Sequence, residues 1–174
     1  MSSRFTRARK AAEMKKYKIS VSGGCQCGAV RYHTDVMLDN AHLCHCRMCQ
    51  KAVGNAFAVL VATPNEALQW TRGEPASFKS SDHATRGFCR DCGTPLFYNS
   101  LDNGRINLTI GSLDEPDKFA PKSQMGIESR VSWFGALTNL PEEGLTGADA
   151  DWAAAISRSN RQHPDHDTDD WPKK

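Results

Sequence analysis

Polar and apolar residues alternate in short stretches along most of this chain, and runs of helical period are scarce. Residues 18–22 alternate as a half-buried strand does, and residues 29–34 form a second β-prone run. Residues 57–62 are apolar almost without a break and are stopped by Thr63-Pro64, which predicts a strand buried on both faces. Residues 68–70, 76–79 and 87–88 read as short strands punctuated by Gly73 and Pro75. Residues 95–98 and 105–110 flank Asp102-Asn103-Gly104 and predict a hairpin. Residues 37–40 read as a turn, 50–54 as a loop or helical turn, and 127–134 as a further strand. One helix is expected, over residues 148–158, with Trp152 and Ile156 four apart and able to dock by that edge. The expected class is mainly β, with little helix.

The ends of the chain lack this patterning. Residues 1–18 carry Arg4, Arg7, Arg9, Lys10, Lys15, Lys16 and Lys18 against the single acid Glu13, and no apolar core of a signal peptide follows them. Residues 160–174 hold four aspartates, two histidines and two prolines with little to bury. The expected division is a disordered basic arm over 1–16, a folded domain over 17–145, a short helix within 146–159 and a disordered tail over 160–174. A formal charge of +2 and a pI near 8.2 do not call for a nucleic-acid partner, and no apolar run reaches the length of a membrane span. A cytoplasmic location is expected, where a reducing medium keeps thiols free to bind metal.

Cysteine placement carries the chemistry. The seven cysteines fall into the pairs Cys25/Cys27 and Cys89/Cys92, each followed at once by glycine, and the trio Cys44, Cys46 and Cys49, which is not. Glycine reaches positive φ without steric cost, as a tight turn under a metal ion requires. The pairs together supply four thiolates, enough to close one tetrahedral site, and the trio supplies three, leaving one position open as in catalytic zinc centres. The alternative is that the trio joins one glycine-bearing pair in an ordinary four-thiol ribbon. His45, between two ligands, is expected to serve as a pocket-wall or hydrogen-bonding group, with a place as fourth ligand as its alternative.

Gly24-Cys25-x-Cys27-Gly28-Ala29-Val30-Arg31-Tyr32, Cys44-His45-Cys46-x-x-Cys49-x-Lys51, Phe88-Cys89-x-x-Cys92-Gly93-Thr94, Gly111-Ser112-Leu113-Asp114 and Trp133 resemble the glutathione-dependent formaldehyde-activating enzyme family, which also includes centromere protein V. The resemblance runs from about residue 20 to residue 141. It implies small antiparallel sheets meeting like the sides of a tent, with two zinc ions per chain. Cys25, Cys27, Cys89 and Cys92 would hold a structural zinc, and Cys44, Cys46 and Cys49 a catalytic one.

The activity implied is that of a carbon–sulfur lyase joining glutathione, as co-substrate, reversibly to formaldehyde. Cys46, flanked by ligands on both sides, is the candidate to yield its place to the substrate sulfur. Arg31, Arg47, Lys51, Arg86 and Arg130 are candidates for substrate carboxylates, against the plainer role of surface charges. Phe57 and Trp133 could line the pocket or simply pack in the core. Two other classes stand beside the enzyme: a zinc-stabilised binding module without turnover, and a nucleic-acid-binding zinc ribbon. The second is disfavoured because basic residues between the knuckles are scattered among acids and no aromatic stacking platform stands out.

Overall fold

The computed structural model describes residues 14–170. The mainly β expectation holds, with ten strands in two sheets among the described residues. β1 (Lys16–Gly24), β2 (Arg31–Leu38) and β5 (Gln69–Arg72) form a three-stranded antiparallel sheet in the order β1-β2-β5. The second sheet has seven strands. Its members are β3 (His42–Cys44), β4 (Ala58–Pro64), β6 (Ala76–Ser81), β7 (Ala84–Phe88), β8 (Pro95–Ser100), β9 (Arg105–Thr109) and β10 (Ser123–Met125), ordered β10-β3-β4-β9-β8-β7-β6. All its pairs are antiparallel except β10 with β3 at the edge.

The apolar run that predicted a doubly buried strand is β4, in which only Val59 is not fully buried. Tyr32, Met37, Val61, Leu96 and Leu108 have essentially no exposed surface and join the two sheets in one core. A smaller cluster of Cys44, Cys49, Ala58 and Leu60 lies at the β3–β4 side of the large sheet, so the trio is built into packed structure. Helix α1 (Arg47–Val53) follows β3 directly, where a loop or helical turn was expected, and Gly54 at φ 63° closes it.

Several expectations are corrected. Met37 and Leu38 continue β2 rather than turning, because both side chains are buried. Residues 127–134 do not form a strand. Ile127–Ser129 and Ser132–Asn139 are 3-10 turns, and the strand lies earlier, at β10. The half-buried residues Val131, Phe134 and Leu137 recur every third position, the period of a 3-10 helix and not of a strand. Helix α2 (Ala150–Ser159) forms, capped by Asp149 Oδ1 accepting from the Trp152 N–H at 3.0 Å. Its Trp152 and Ile156 stay 58% and 48% exposed, so the predicted docking edge is not used among the described residues.

The tail is the largest departure. Expected to be disordered over 160–174, its described part, to residue 170, runs back over the β1–β2 loop. The His163 N–H donates to the Gln26 carbonyl at 2.7 Å, and His163 is only 6% exposed. Buried Arg31 holds it electrostatically, donating to Asp167 Oδ1 from Nε at 3.0 Å and from Nη2 at 2.8 Å. The expected arm over 1–16 lies, for residues 1–13, outside the described residues.

Candidate metal centres

The loop between β1 and β2 carries Cys25 and Cys27, and the loop between β7 and β8 carries Cys89 and Cys92. Their four sulfurs lie within 4.8 Å of one another. Cys25 and Cys27 Sγ are 3.7 Å apart, and Cys27 and Cys89 Sγ are 3.8 Å apart. A tetrahedron with metal–sulfur bonds of about 2.3 Å has edges of about 3.8 Å, so the donor set fits one ion such as zinc. Each loop turns under its sulfurs on glycine, Gly28 at φ 67° and Gly93 at φ 76°. The Val30 N–H then reaches Cys25 Sγ at 3.3 Å, and the Asp91 N–H reaches Cys89 Sγ at 3.4 Å.

The trio forms a separate cluster, so it does not share a ribbon with either pair. Cys44 ends β3, Cys46 caps α1 and Cys49 lies one turn in. Cys44 Sγ is 3.5 Å from Cys46 Sγ, which also accepts from the Cys49 N–H at 3.4 Å. The segment is held from behind. The His45 N–H donates to the Met125 carbonyl at 2.9 Å, and the buried Gln50 amide donates to the carbonyls of His45 at 2.6 Å and Ser129 at 2.9 Å.

His45 takes the hydrogen-bonding role expected of it and stands outside both cysteine clusters. Its fully buried ring sits 5.7 Å from Phe57 and 4.8 Å from Phe134, with Nε2 3.0 Å from Gln124 Oε1. Phe57 therefore packs rather than lining the trio cavity. Trp133 borders a shallow depression with Arg47 and Lys51 on the flank of α1.

The trio opens onto a cavity of about 280 Å³ whose walls include Met48, Arg86, Tyr98, Arg105, Asn107 and Met125. Of the cationic candidates only Arg86 meets the thiols there, its Nη2 donating to Cys49 Sγ at 3.5 Å. Arg130 donates to Gln124 Oε1 at 3.3 Å. Arg31 is spent elsewhere, paired at 2.6 Å with Asp114 and only 3% exposed. Tyr98, Arg105 and Asn107 escaped sequence reasoning because they reach the site from β8 and β9. The one signal for them was the hairpin, whose alternation places 105 and 107 on one face.

Electrostatics separate the thiols. A hydrogen bond from Cys44 lowers Cys49, burial opposes, and the Arg86 guanidinium lowers it further, to about 5. The same bond to Cys49, together with burial, pushes Cys44 up. In the other cluster burial raises Cys25 and Cys27, while Cys92, despite burial, is held down to about 6 by hydrogen bonds with Thr94. Burial would raise Asp114 too, but hydrogen bonds from Arg31 and Ser22 outweigh it and keep this carboxyl below its ordinary value. Burial lowers His42, at the cavity wall, whose Nδ1 is 2.7 Å from the Asn40 carbonyl.

Comparison with known proteins agrees with these features. The sequence model of the glutathione-dependent formaldehyde-activating enzyme family matches residues 20–129, a span containing all seven cysteines. Over 83 residues the chain is 26% identical to a Schizosaccharomyces pombe protein described as an uncharacterized lyase. That match takes in 48% of this chain and 59% of the relative, so the chain spans less than two thirds of that relative's length. A crystal structure of a Rhodobacter sphaeroides protein superposes with a TM-score of 0.51 at 22% identity, over 60% of this chain and 99% of that one, a likeness of fold. No helix among the described residues is long and apolar enough to cross a membrane.

Proposed function

This chain belongs to the glutathione-dependent formaldehyde-activating enzyme family, and from that premise we propose that it is a zinc-dependent carbon–sulfur lyase. Its substrate is the adduct of glutathione, or a similar thiol, with formaldehyde or another small aldehyde. The observation that carries this reading is a cluster of three thiols, one short of a closed tetrahedral set, facing a cavity of about 280 Å³. Cys25, Cys27, Cys89 and Cys92 hold a structural ion, and Cys44, Cys46 and Cys49 a second, catalytic one. Zinc in the trio supplies an open position that favours a sulfur ligand in its thiolate form.

The chain's own residues define the rest of the reaction. In the cleavage direction the carbon–sulfur bond of the hydroxymethyl adduct breaks and its electron pair stays on sulfur. The hydroxyl loses its proton to water at the cavity mouth, and the carbonyl of the aldehyde forms. Cys46 is the thiol able to give way to the substrate sulfur, since it is half-buried while Cys44 and Cys49 are fully buried. The Cys49 N–H at 3.4 Å remains as a donor to a displaced Cys46 sulfur. Gln50, His45 and the β10 edge keep the other two thiols in place through the exchange. A reducing, cytoplasmic compartment suits seven unpaired cysteines.

The test is zinc analysis together with calorimetric titration of glutathione. Two ions per chain are expected, of which a mild chelator removes one, along with glutathione binding. Equal binding to the one-zinc protein, or none to the two-zinc protein, overturns the proposal.

A further inference from the structure

A substrate thiolate entering the trio sets an electrostatic requirement. Three cysteine thiolates would leave a divalent cation at the trio with one net negative charge, and an arriving substrate thiolate, whether it fills the open position or displaces Cys46 and leaves that thiolate alongside, would bring the site to two. Cys44 and Cys49 are 7% and 4% exposed, so water does little to screen that charge. Buried charge without a counterion is costly.

Arg86 stands where a counterion is needed. It lines the trio cavity, and its Nη2 donates to Cys49 Sγ at 3.5 Å. Two neighbours fix the guanidinium without neutralising it. Its Nε donates to Ser80 Oγ at 3.1 Å, and its Cζ lies over the Tyr98 ring, 5.0 Å from the ring centre. Both come from the sheet, since Arg86 pairs with Tyr98 across β7–β8 while Ser80 is on β6, the strand paired with β7 on its other side. Among the described residues Arg86 makes no ion pair with a carboxylate. The other guanidinium of the cavity, Arg105, is directed to Met14 Sδ at 2.9 Å.

We propose that Arg86 is a positioning residue that offsets the charge of an incoming substrate thiolate, so that the trio selects anionic sulfur over neutral ligands. The proposal rests on the reading of the trio as a thiol-binding metal site. Ser80 and Tyr98 aim the guanidinium, and the sheet register holds it in place before the thiolate arrives.

The test uses the full chain loaded with cobalt(II) in place of zinc, titrated separately with glutathione and with imidazole. The sulfur-to-cobalt charge-transfer and d–d bands report binding, over the constant background of the closed four-thiol site. Arg86→Gln is expected to weaken glutathione by about tenfold or more while imidazole changes by less than about twofold. Arg86→Lys, which keeps the charge and loses the fork, recovers part of the loss. Ser80→Ala falls between. Equal weakening of both ligands by Arg86→Gln, or of neither, overturns the proposal. If Arg86→Gln does not retain the metal, the Arg86→Lys and Ser80→Ala titrations decide by the same split, and its absence in both overturns the proposal. A wild-type protein that binds imidazole and not glutathione instead overturns the lyase reading itself, and this inference with it.

Discussion

Gly126→Ala puts a single methyl group against the backbone of the trio. Gly126 follows β10 at φ 67°, and a Cβ there would lie 2.7 Å from Cys46 N and 3.1 Å from Cys46 Cβ. An L side chain in left-handed backbone costs about 1–2 kcal/mol, and forcing a carbon into packed backbone adds about 1–3 kcal/mol. The total is about 2–5 kcal/mol, or roughly 5–15 °C in Tm for a domain of this size. Relief comes from moving Met125 and Gly126 away from Cys46, which breaks the pairing of Met125 with Cys44 and the 2.9 Å hydrogen bond from the His45 N–H to the Met125 carbonyl. Gly104→Ala is the control. Gly104 has φ 65°, but nothing lies within 4 Å of its Cβ position, so only the conformational cost of about 1–2 kcal/mol applies. Calorimetry with metal analysis is expected to show the larger Tm loss for Gly126→Ala and one ion fewer per chain, with both ions kept in Gly104→Ala. Equal Tm losses, with both ions retained in each variant, refute the reasoning.

Three further outcomes are expected. Cys27→Ser or Cys92→Ser abolishes cooperative folding, because the four-thiol site ties together residues 62 apart and a structural zinc contributes about 10–16 kcal/mol; Cys49→Ser keeps a cooperative melt and loses one ion, and similar melts in all three variants contradict the division of labour. Asp114→Asn removes one side of the Arg31 pair and costs about 2–4 kcal/mol near neutral pH. Since the folded pKa of Asp114 lies below its unfolded value of 3.8, that stabilisation is fully present above 3.8 and is lost as pH falls through the folded value. The Tm gap between wild type and Asp114→Asn is thus constant from neutral pH to about 5, begins to narrow below about 4 and closes once pH has fallen past the folded value; a gap that stays open in strong acid contradicts it. Removal of residues 161–174 loses the His163–Gln26 hydrogen bond and the Arg31–Asp167 pair, and Asp167 is 56% exposed, so about 1–2 kcal/mol or roughly 2–6 °C is expected. An unchanged melt shows that the tail does not dock.

The sequence made the strands and the division of the cysteines legible because both are local signals. Alternation over five or six residues marks a half-buried strand, and the glycine after Cys27 and after Cys92 marks the positive φ found at both positions. The 3-10 turns after β10 depart from the strand expected over 127–134 because the half-buried Val131, Phe134 and Leu137 recur at period three, a spacing that only burial makes visible in so polar a segment. The tail was beyond reach for a different reason. Its composition is that of a solvated segment, and what holds it is a pair of guanidiniums far away in sequence, Arg31 donating to Asp167 136 positions on and Arg72 donating to His163 and Thr168 91 and 96 positions on. Arg86 was one basic candidate among five, and only the strand register sets it beside Cys49, 37 positions earlier.

The central claim, reversible cleavage of a thiol–aldehyde adduct at the trio, is tested most directly by exchange spectroscopy on glutathione and carbon-13 formaldehyde at equilibrium. Magnetisation transfer between free formaldehyde and its S-hydroxymethyl adduct reports carbon–sulfur bond making and breaking without a coupled assay. The two-zinc protein is expected to raise the exchange rate in proportion to its concentration, and Cys49→Ser at the same concentration is expected to leave it at the uncatalysed value. An exchange rate that the wild-type protein does not change, or that Cys49→Ser raises equally, contradicts the account.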